Sequence, residues 1–248
     1  MKEETKFEVI VPCYNAESTL ERTLNSMVNQ TYTNWRVWFI NDGSTDSSYE
    51  IAKKFADKDR RFVLFSGQNQ GVASAMNFAR SAILDSYYSS PQINTVAVTC
   101  CGSDDWFDPI HFEIYDKEFR KDPTIDLLYS DVSCLFVDGS KAISYGIAYH
   151  NVFDPTKIAS ENPIYAPAAT WKLKCFSVGE FDIRLNSIED WDFYARLVFA
   201  GYKIVHLPKV LSYVTVRMTG EGMAGKKTGD QWELFQKKRR EEQVLKIK

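Results

Sequence analysis

Four apolar runs lie along the first half of the chain, and each gives way to a polar turn. They cover Phe7–Val11, Trp35–Ile40, RFVLFS at 61–66 and TVAVTCC at 95–101. Between them, apolar residues repeat at helical spacing: Leu20, Leu24, Met27 and Val28, then Ile51, Ala52, Phe55 and Ala56. A third helix fits Ala73–Tyr87, with Met76, Ala79, Ile83 and Leu84 on one side. Near-continuous apolar strands alternating with helices specify an α/β fold, a mostly parallel central sheet flanked by helices on both faces. In such sheets ligands bind outside the carboxyl ends of the strands. Tyr14–Glu17, Asn41–Asp46, Gln68–Gly71 and Gly102–Asp105 are therefore expected to meet on one rim.

The second half is less regular. Leu127–Val137 reads as a strand, Lys141–Tyr149 as a short alternating strand, and Asn162–Trp171 as a proline-containing loop. Ser187–Leu197 reads as a loop entering a helix with Trp191, Tyr194 and Ala195 on its apolar side. Residues 202–208 form a strand that Pro208 is expected to close. The stretch 219–229 has four glycines and reads as a mobile loop, and 230–248 as a charged helix. The expected division is one catalytic domain over 1–218, followed by a flexible loop and C-terminal helix over 219–248.

Composition narrows the function classes. The chain is 44% hydrophobic with a net charge of −3, which is too apolar and too neutral for a disordered protein. No run approaches the roughly 18 apolar residues of a membrane span. The N-terminal residues lack a basic lead and a cleavage site, so no signal peptide is expected. The five cysteines, Cys13, Cys100, Cys101, Cys134 and Cys175, include no CxxC pair. They read as small core residues in a reducing, cytoplasmic setting. His206, before Pro208 on its strand, reads as structural.

The rim carries Glu17, Asp42, Asp46, Asp104 and Asp105 with few cations on the same loops. Singly, these are ordinary turn residues. Recurring after successive strands, they suit a hard divalent cation, Mn²⁺ or Mg²⁺, that shares oxygen ligands with a diphosphate. No P-loop occurs, and no GxGxxG fingerprint follows the first strand. Further along, Glu189-Asp190-Trp191-Asp192 opens a helix. These acids are either helix-start residues or the source of a general base. Trp171 and Trp191 are either core or stacking faces for a sugar.

VIVPCYNAESTLERTLNSMVNQTYTNWRVWFINDGSTDSS, NQGVASAMNFA, GSDDWFDP and IEDWDFYARLVFAGYKI, in this order, resemble the successive motifs of family 2 glycosyltransferases over roughly residues 7–215. The resemblance implies a GT-A fold, with a Rossmann-like nucleotide-binding half plus an acceptor half. It also implies inverting transfer from a nucleotide-diphosphate sugar, with a UDP-sugar the expected donor. On the donor side it places Pro12, Tyr14, Glu17, Asp42, Gly71, Asn77, Ser103 and Arg217. Asp104, with Asp105, matches the metal-contacting end of the family's DxD triplet, and Asp190, with Glu189 beside it, matches the catalytic base.

Three departures stand out. Gly102 replaces the first Asp of the triplet, Met76 stands where an Arg is usual, and Arg217 is the nearest cation where a Tyr-Arg-x-His stretch is common. Gly102 leaves an inactive sugar-nucleotide-binding relative as the rival reading. A nucleotidyltransferase is disfavoured by ProCysTyrAsnAlaGlu after the first strand. The expected acceptor is a glycan or glycolipid. LysLysArgArg at 237–240 leaves open a peripheral contact with the inner face of a membrane, or a nucleic-acid acceptor, against the plainer reading of a solvated helix face.

Overall fold

The computed structural model describes residues 4–88, 95–138, 141–148, 154–160, 162, 164–185, 187–217 and 229–246. The strand–helix alternation holds. In chain order come β1 (Lys6–Cys13), α1 (Leu20–Val28), β2 (Trp35–Asp42), α2 (Ser48–Ala56), β3 (Phe62–Gly67), α3 (Val72–Tyr87), β4 (Val96–Cys100) and the two-residue β5 (Trp106–Phe107). Then follow α4 (His111–Lys121), β6 (Leu127–Asp138), β7 (Lys141–Ala148), β8 (Ala169–Lys172), α5 (Glu189–Phe199), β9 (Ile204–Arg217) and α6 (Gly229–Lys246).

All nine strands form one sheet in the order β3-β2-β1-β4-β8-β6-β9-β5, with β7 paired to β6. β1 to β4, β6 and β9 share one direction, while β5, β7 and β8 oppose it. The sheet is sandwiched, because alternate residues of each buried strand feed opposite faces. From β1 and β2, Phe7, Val9, Val11, Val37 and Phe39 join α1, α2 and α4 residues on one face. Ile10, Trp38, Ile40 and Val98 join α3 and α5 residues on the other. Glu8 lies inside the β1 run and is fully buried; it accepts from Trp38 Nε1 at 2.5 Å and Tyr87 Oη at 2.6 Å. Burial pushes its carboxyl above the ordinary range, which those two bonds only partly offset.

Several expectations are corrected. The segment read as a loop up to Trp171 contains β8, which inserts antiparallel between β4 and β6. Pro208 does not close its strand. β9 continues to Arg217, and a register shift opposite Ser130 and Asp131 takes up the proline. Trp171 and Trp191 are buried in the two clusters around α5, so neither offers a face to a sugar. The helix α4 over His111–Lys121 had no sequence assignment. The five cysteines are free and buried. His206 pairs with Asp131 at 2.9 Å and stacks on Tyr129, a structural arrangement. The expected loop over 219–229 lies, apart from Gly229, outside the described residues. No helix among the described residues is long and apolar enough to cross a membrane.

Candidate active site

The turns after β1 and β2 are stitched into one surface. Asn15 sits in the left-handed region at φ 48°, and its Oδ1 accepts from Thr45 N at 2.8 Å. Ser44 Oγ accepts from Asn15 N, and Ser48 Oγ from Ala16 N. Glu17 N donates to Asp46 at 3.0 Å, and the Glu17 carboxylate accepts from Ser47 N at 3.0 Å. Burial works to raise the Asp46 carboxyl, but bonds from Ser48 and Glu17 N outweigh it and hold it below the ordinary range. Above these turns Tyr14 is 51% exposed, and Pro12 is half-buried at the end of β1.

Asp42 ends β2 and is buried; its two oxygens accept from Gln70 N and Gly71 N, each at 2.8 Å. Gly71 adopts φ 89° as the residue that starts α3, a conformation that suits glycine. Asp42 therefore anchors the turn that forms the next wall of the rim. Asn77 behaves differently from its expectation. Its amide donates to Phe181 O and accepts from Phe181 N, both at 2.8 Å, so it clamps α3 to a segment 104 residues away.

After β4 the chain turns through Gly102 to Asp105. Asp105 is buried, and its Oδ1 accepts from Thr215 N on β9 at 2.9 Å. Asp104 Oδ2 pairs with Arg217 Nη2 at 3.1 Å. The other two carboxylate oxygens converge on the space that a Gly102 side chain would fill. A Cβ there would stand 2.9 Å from Asp105 Oδ2 and 3.2 Å from Asp104 Oδ1. Burial raises both carboxyls, and for Asp105 the neighbouring Asp104 raises it further. Two carboxylate oxygens facing one space are the kind of donor set that hard divalent ions take. The described residues contain no cluster of three or more His, Cys, Asp or Glu placed to hold a metal.

Arg22 and Thr215 were missed by sequence reading. Arg22 Nη2 donates to Asp104 O at 2.8 Å and to Thr215 Oγ1 at 3.1 Å, and its guanidinium lies 3.8 Å from the Trp106 ring centroid. Thr19 Oγ1 donates to Ser103 O at 3.0 Å. Together α1 and β9 hold the Gly102–Asp105 turn from two sides.

The second acidic group stands at the start of α5. Ser187 has φ 124°, unusual for a residue with a side chain, and its N–H donates to Glu189 Oε2 at 2.7 Å. Glu189 is buried, and burial together with the adjacent Asp190 pushes its carboxyl up to about 8. Asp190 is half-buried and accepts from Trp191 N at 2.6 Å. Glu189, Asp190 and Asp105 all act electrostatically on the Cys100 thiol at the end of β4, which burial raises first. The two acidic groups, far apart in sequence, thus both bear on the end of one central strand.

Half of the basic stretch in α6 faces the protein. Lys238 and Arg239 each reach Asp192 at 2.6 Å, Lys238 also reaches Asp182 at 2.9 Å, and Arg239 is 1% exposed. No contact of 237–240 with a membrane or a nucleic acid is shown, and the plainer reading of a wholly solvated face does not hold for Lys238 and Arg239. These two charges face inward, against α5.

The model of glycosyl transferase family 2 matches residues 8–133. Glycosyltransferase GlyA of Streptococcus pneumoniae serotype 4 is 30% identical over 227 residues, which cover 86% of this chain and 31% of GlyA. Hyaluronan synthase of Pasteurella multocida is 30% identical over 206 residues, 82% of this chain and 19% of the synthase. The chain thus spans less than a third of either protein. Among solved structures, Staphylococcus aureus TarS 1–349 in complex with UDP-GlcNAc superposes with a TM-score of 0.69 at 21% identity, over 93% of this chain and 64% of that one. The mannosyltransferase PcManGT of Pyrobaculum calidifontis, in complex with GDP-Man and Mn²⁺, gives 0.60 at 17% identity over 94% and 61%. These likenesses establish the GT-A fold, and with the family model covering half of the sequence, the chain belongs to glycosyl transferase family 2.

Proposed function

We propose that this chain catalyses inverting transfer of a sugar from a nucleoside-diphosphate sugar to an acceptor hydroxyl. The observation that carries this reading is the convergence of Asp104 Oδ1 and Asp105 Oδ2 beside Gly102, on the turn after β4, in a chain of this family. The nucleoside is assigned to the stitched turns, with the exposed Tyr14 and half-buried Pro12 beside Asp42 and Glu17. Asp104 and Asp105 are assigned to hold Mn²⁺ or Mg²⁺. When bound, the cation neutralises charge developing on the departing diphosphate. Arg217, already on Asp104, supplies a further cation to the same oxygens.

Asp190 is the better base of its pair. Glu189 is buried and turned back on Ser187, and burial beside Asp190 holds its carboxyl well above the ordinary range. Asp190 takes the proton from the acceptor hydroxyl as that oxygen bonds to the anomeric carbon. The bond from the same carbon to the diphosphate breaks, and the nucleoside diphosphate leaves with the electron pair. A single displacement inverts the anomeric centre.

TarS and PcManGT are described with UDP-GlcNAc and with GDP-Man and Mn²⁺, which supports a sugar nucleotide and a divalent ion as ligands here. A UDP-sugar donor and a glycan acceptor remain our assignment, in keeping with GlyA and the synthases. The test is a transfer and hydrolysis assay over UDP- and GDP-sugars, with and without Mn²⁺. Asp190→Asn is expected to lower kcat by about 100-fold or more, a general-base magnitude, while donor affinity holds. Asp104→Ala is expected to remove metal-dependent donor binding. Binding of a sugar nucleotide without turnover of any would establish the inactive relative instead.

A further inference from the structure

One face of α6 is built to grip the start of α5. Gln231, Leu234, Phe235, Lys238 and Arg239 fall at positions i, i+3, i+4, i+7 and i+8. Phe235 is fully buried and packs with Ile158, Leu185, Ile188, Trp191 and Ala195. On one side of this apolar centre, Lys238 and Arg239 bind the fully buried Asp192, which also takes Arg196 at 2.9 Å. On the other side, Gln231 Oε1 accepts from Ser187 Oγ at 3.2 Å. Ser187 is the residue at φ 124° whose N–H holds Glu189. Gln236 Nε2 and Trp191 Nε1 tie α6 and α5 to the same short segment, at Ala159 O and Ile158 O.

Asp190 therefore stands between two residues, Ser187 and Asp192, that α6 holds by side-chain hydrogen bonds. Left to itself, a side-chain-bearing residue with a positive φ is strained and persists only where its surroundings over-determine it. We infer that α6 is a positioning element of the transfer step, with Gln231 and Arg239 as positioning residues that fix the Ser187–Asp192 turn and so the place of Asp190. The inference rests on the reading of Asp190 as the base.

The test uses the full chain with Gln231→Leu, which removes the acceptor, Gln231→Glu, which keeps it, and Arg239→Met. Two readouts are taken: turnover over the UDP- and GDP-sugar panel with Mn²⁺, and hydrogen exchange of the amides from 187 to 192. Gln231→Leu is expected to lower kcat about 10- to 100-fold, the cost of a small misplacement, with donor KM little changed. The same variant should speed exchange at 187–192 while the amides of α6 stay protected. Gln231→Glu should restore both readouts, and Arg239→Met should also speed exchange at 187–192. In an Asp190→Asn background, Gln231→Leu should have no further effect on kcat, because the two act through one group. Unchanged exchange at 187–192 in both Gln231→Leu and Arg239→Met overturns the inference, as does an undiminished effect of Gln231→Leu without Asp190. Wild-type turnover by Asp190→Asn alone overturns the base assignment, and the exchange result separates that failure from this one.

Discussion

Replacing Asp192 by Asn should destabilise this protein strongly. The carboxylate is 0% exposed and lies 2.6 to 2.9 Å from Lys238, Arg239 and Arg196. Asn keeps the shape and removes the charge. Arg239, 1% exposed, loses the buried carboxylate that its guanidinium reaches at 2.6 Å, while Lys238 retains Asp182. Breaking a buried pair by removing one partner costs about 3–5 kcal/mol, because the remaining charge keeps its desolvation cost and loses the attraction that offset it. Native domains have only about 5–15 kcal/mol in total. For a chain of this size each kcal/mol lowers Tm by about 2–4 °C, so a fall of about 10 °C is expected. Buried charges are little screened, so the loss should be nearly equal at about 0.05 and 0.5 M salt. Thermal unfolding followed by circular dichroism measures the loss, and limited proteolysis reports whether α6 is released first. Asp192→Leu combined with Arg239→Met should recover much of the loss, since no unpaired charge is then buried. A loss below about 1 kcal/mol for Asp192→Asn, or one that vanishes in high salt, would refute the buried-network account.

Other consequences can be measured directly. Glu189 carries a carboxyl raised from 4.5 to about 8. A raised acid contributes stability that is complete below pH 4.5 and is lost as pH climbs through about 8. Denaturant unfolding of Glu189→Gln should therefore show a flatter stability profile than wild type between those limits, and an unchanged slope would refute the burial argument. Gly71→Ala places a Cβ at φ 89° and should cost about 1–2 kcal/mol, with weaker sugar-nucleotide binding as the N–H held by Asp42 shifts. Gly102→Asp puts a third carboxylate beside two, with its Cβ 2.9 Å from Asp105 Oδ2. It should lower Tm in chelator and gain more from Mn²⁺ than wild type does; equal Mn²⁺ shifts would place the ion elsewhere.

The chain's sequence determined the strand–helix alternation, the parallel half of the sheet and the position of the rim. Those features rest on local periodicity, which β1–α1, β2–α2 and β3–α3 carry with little competition from distant contacts. It also marked Asp104, Asp105, Glu189 and Asp190, because an acidic cluster after a buried strand, or at a helix start, is visible without knowing its neighbours. Tertiary structure decided what those groups touch. β8 was hidden because a four-residue strand between β4 and β6 owes its pairing to partners, not to its own pattern. Asn77, a candidate for donor binding, became a clamp on Phe181 because only the fold brings α3 beside that backbone. The α6 stretch 237–240 looked like a solvated or anion-seeking face, since side-chain charge is a local property and counter-charge is not. Asp192, on another helix, turned Lys238 and Arg239 inward. Sequence fixes which groups a chain carries and where periodicity sends them; which of them end up paired, buried or strained depends on contacts between residues that only folding brings together.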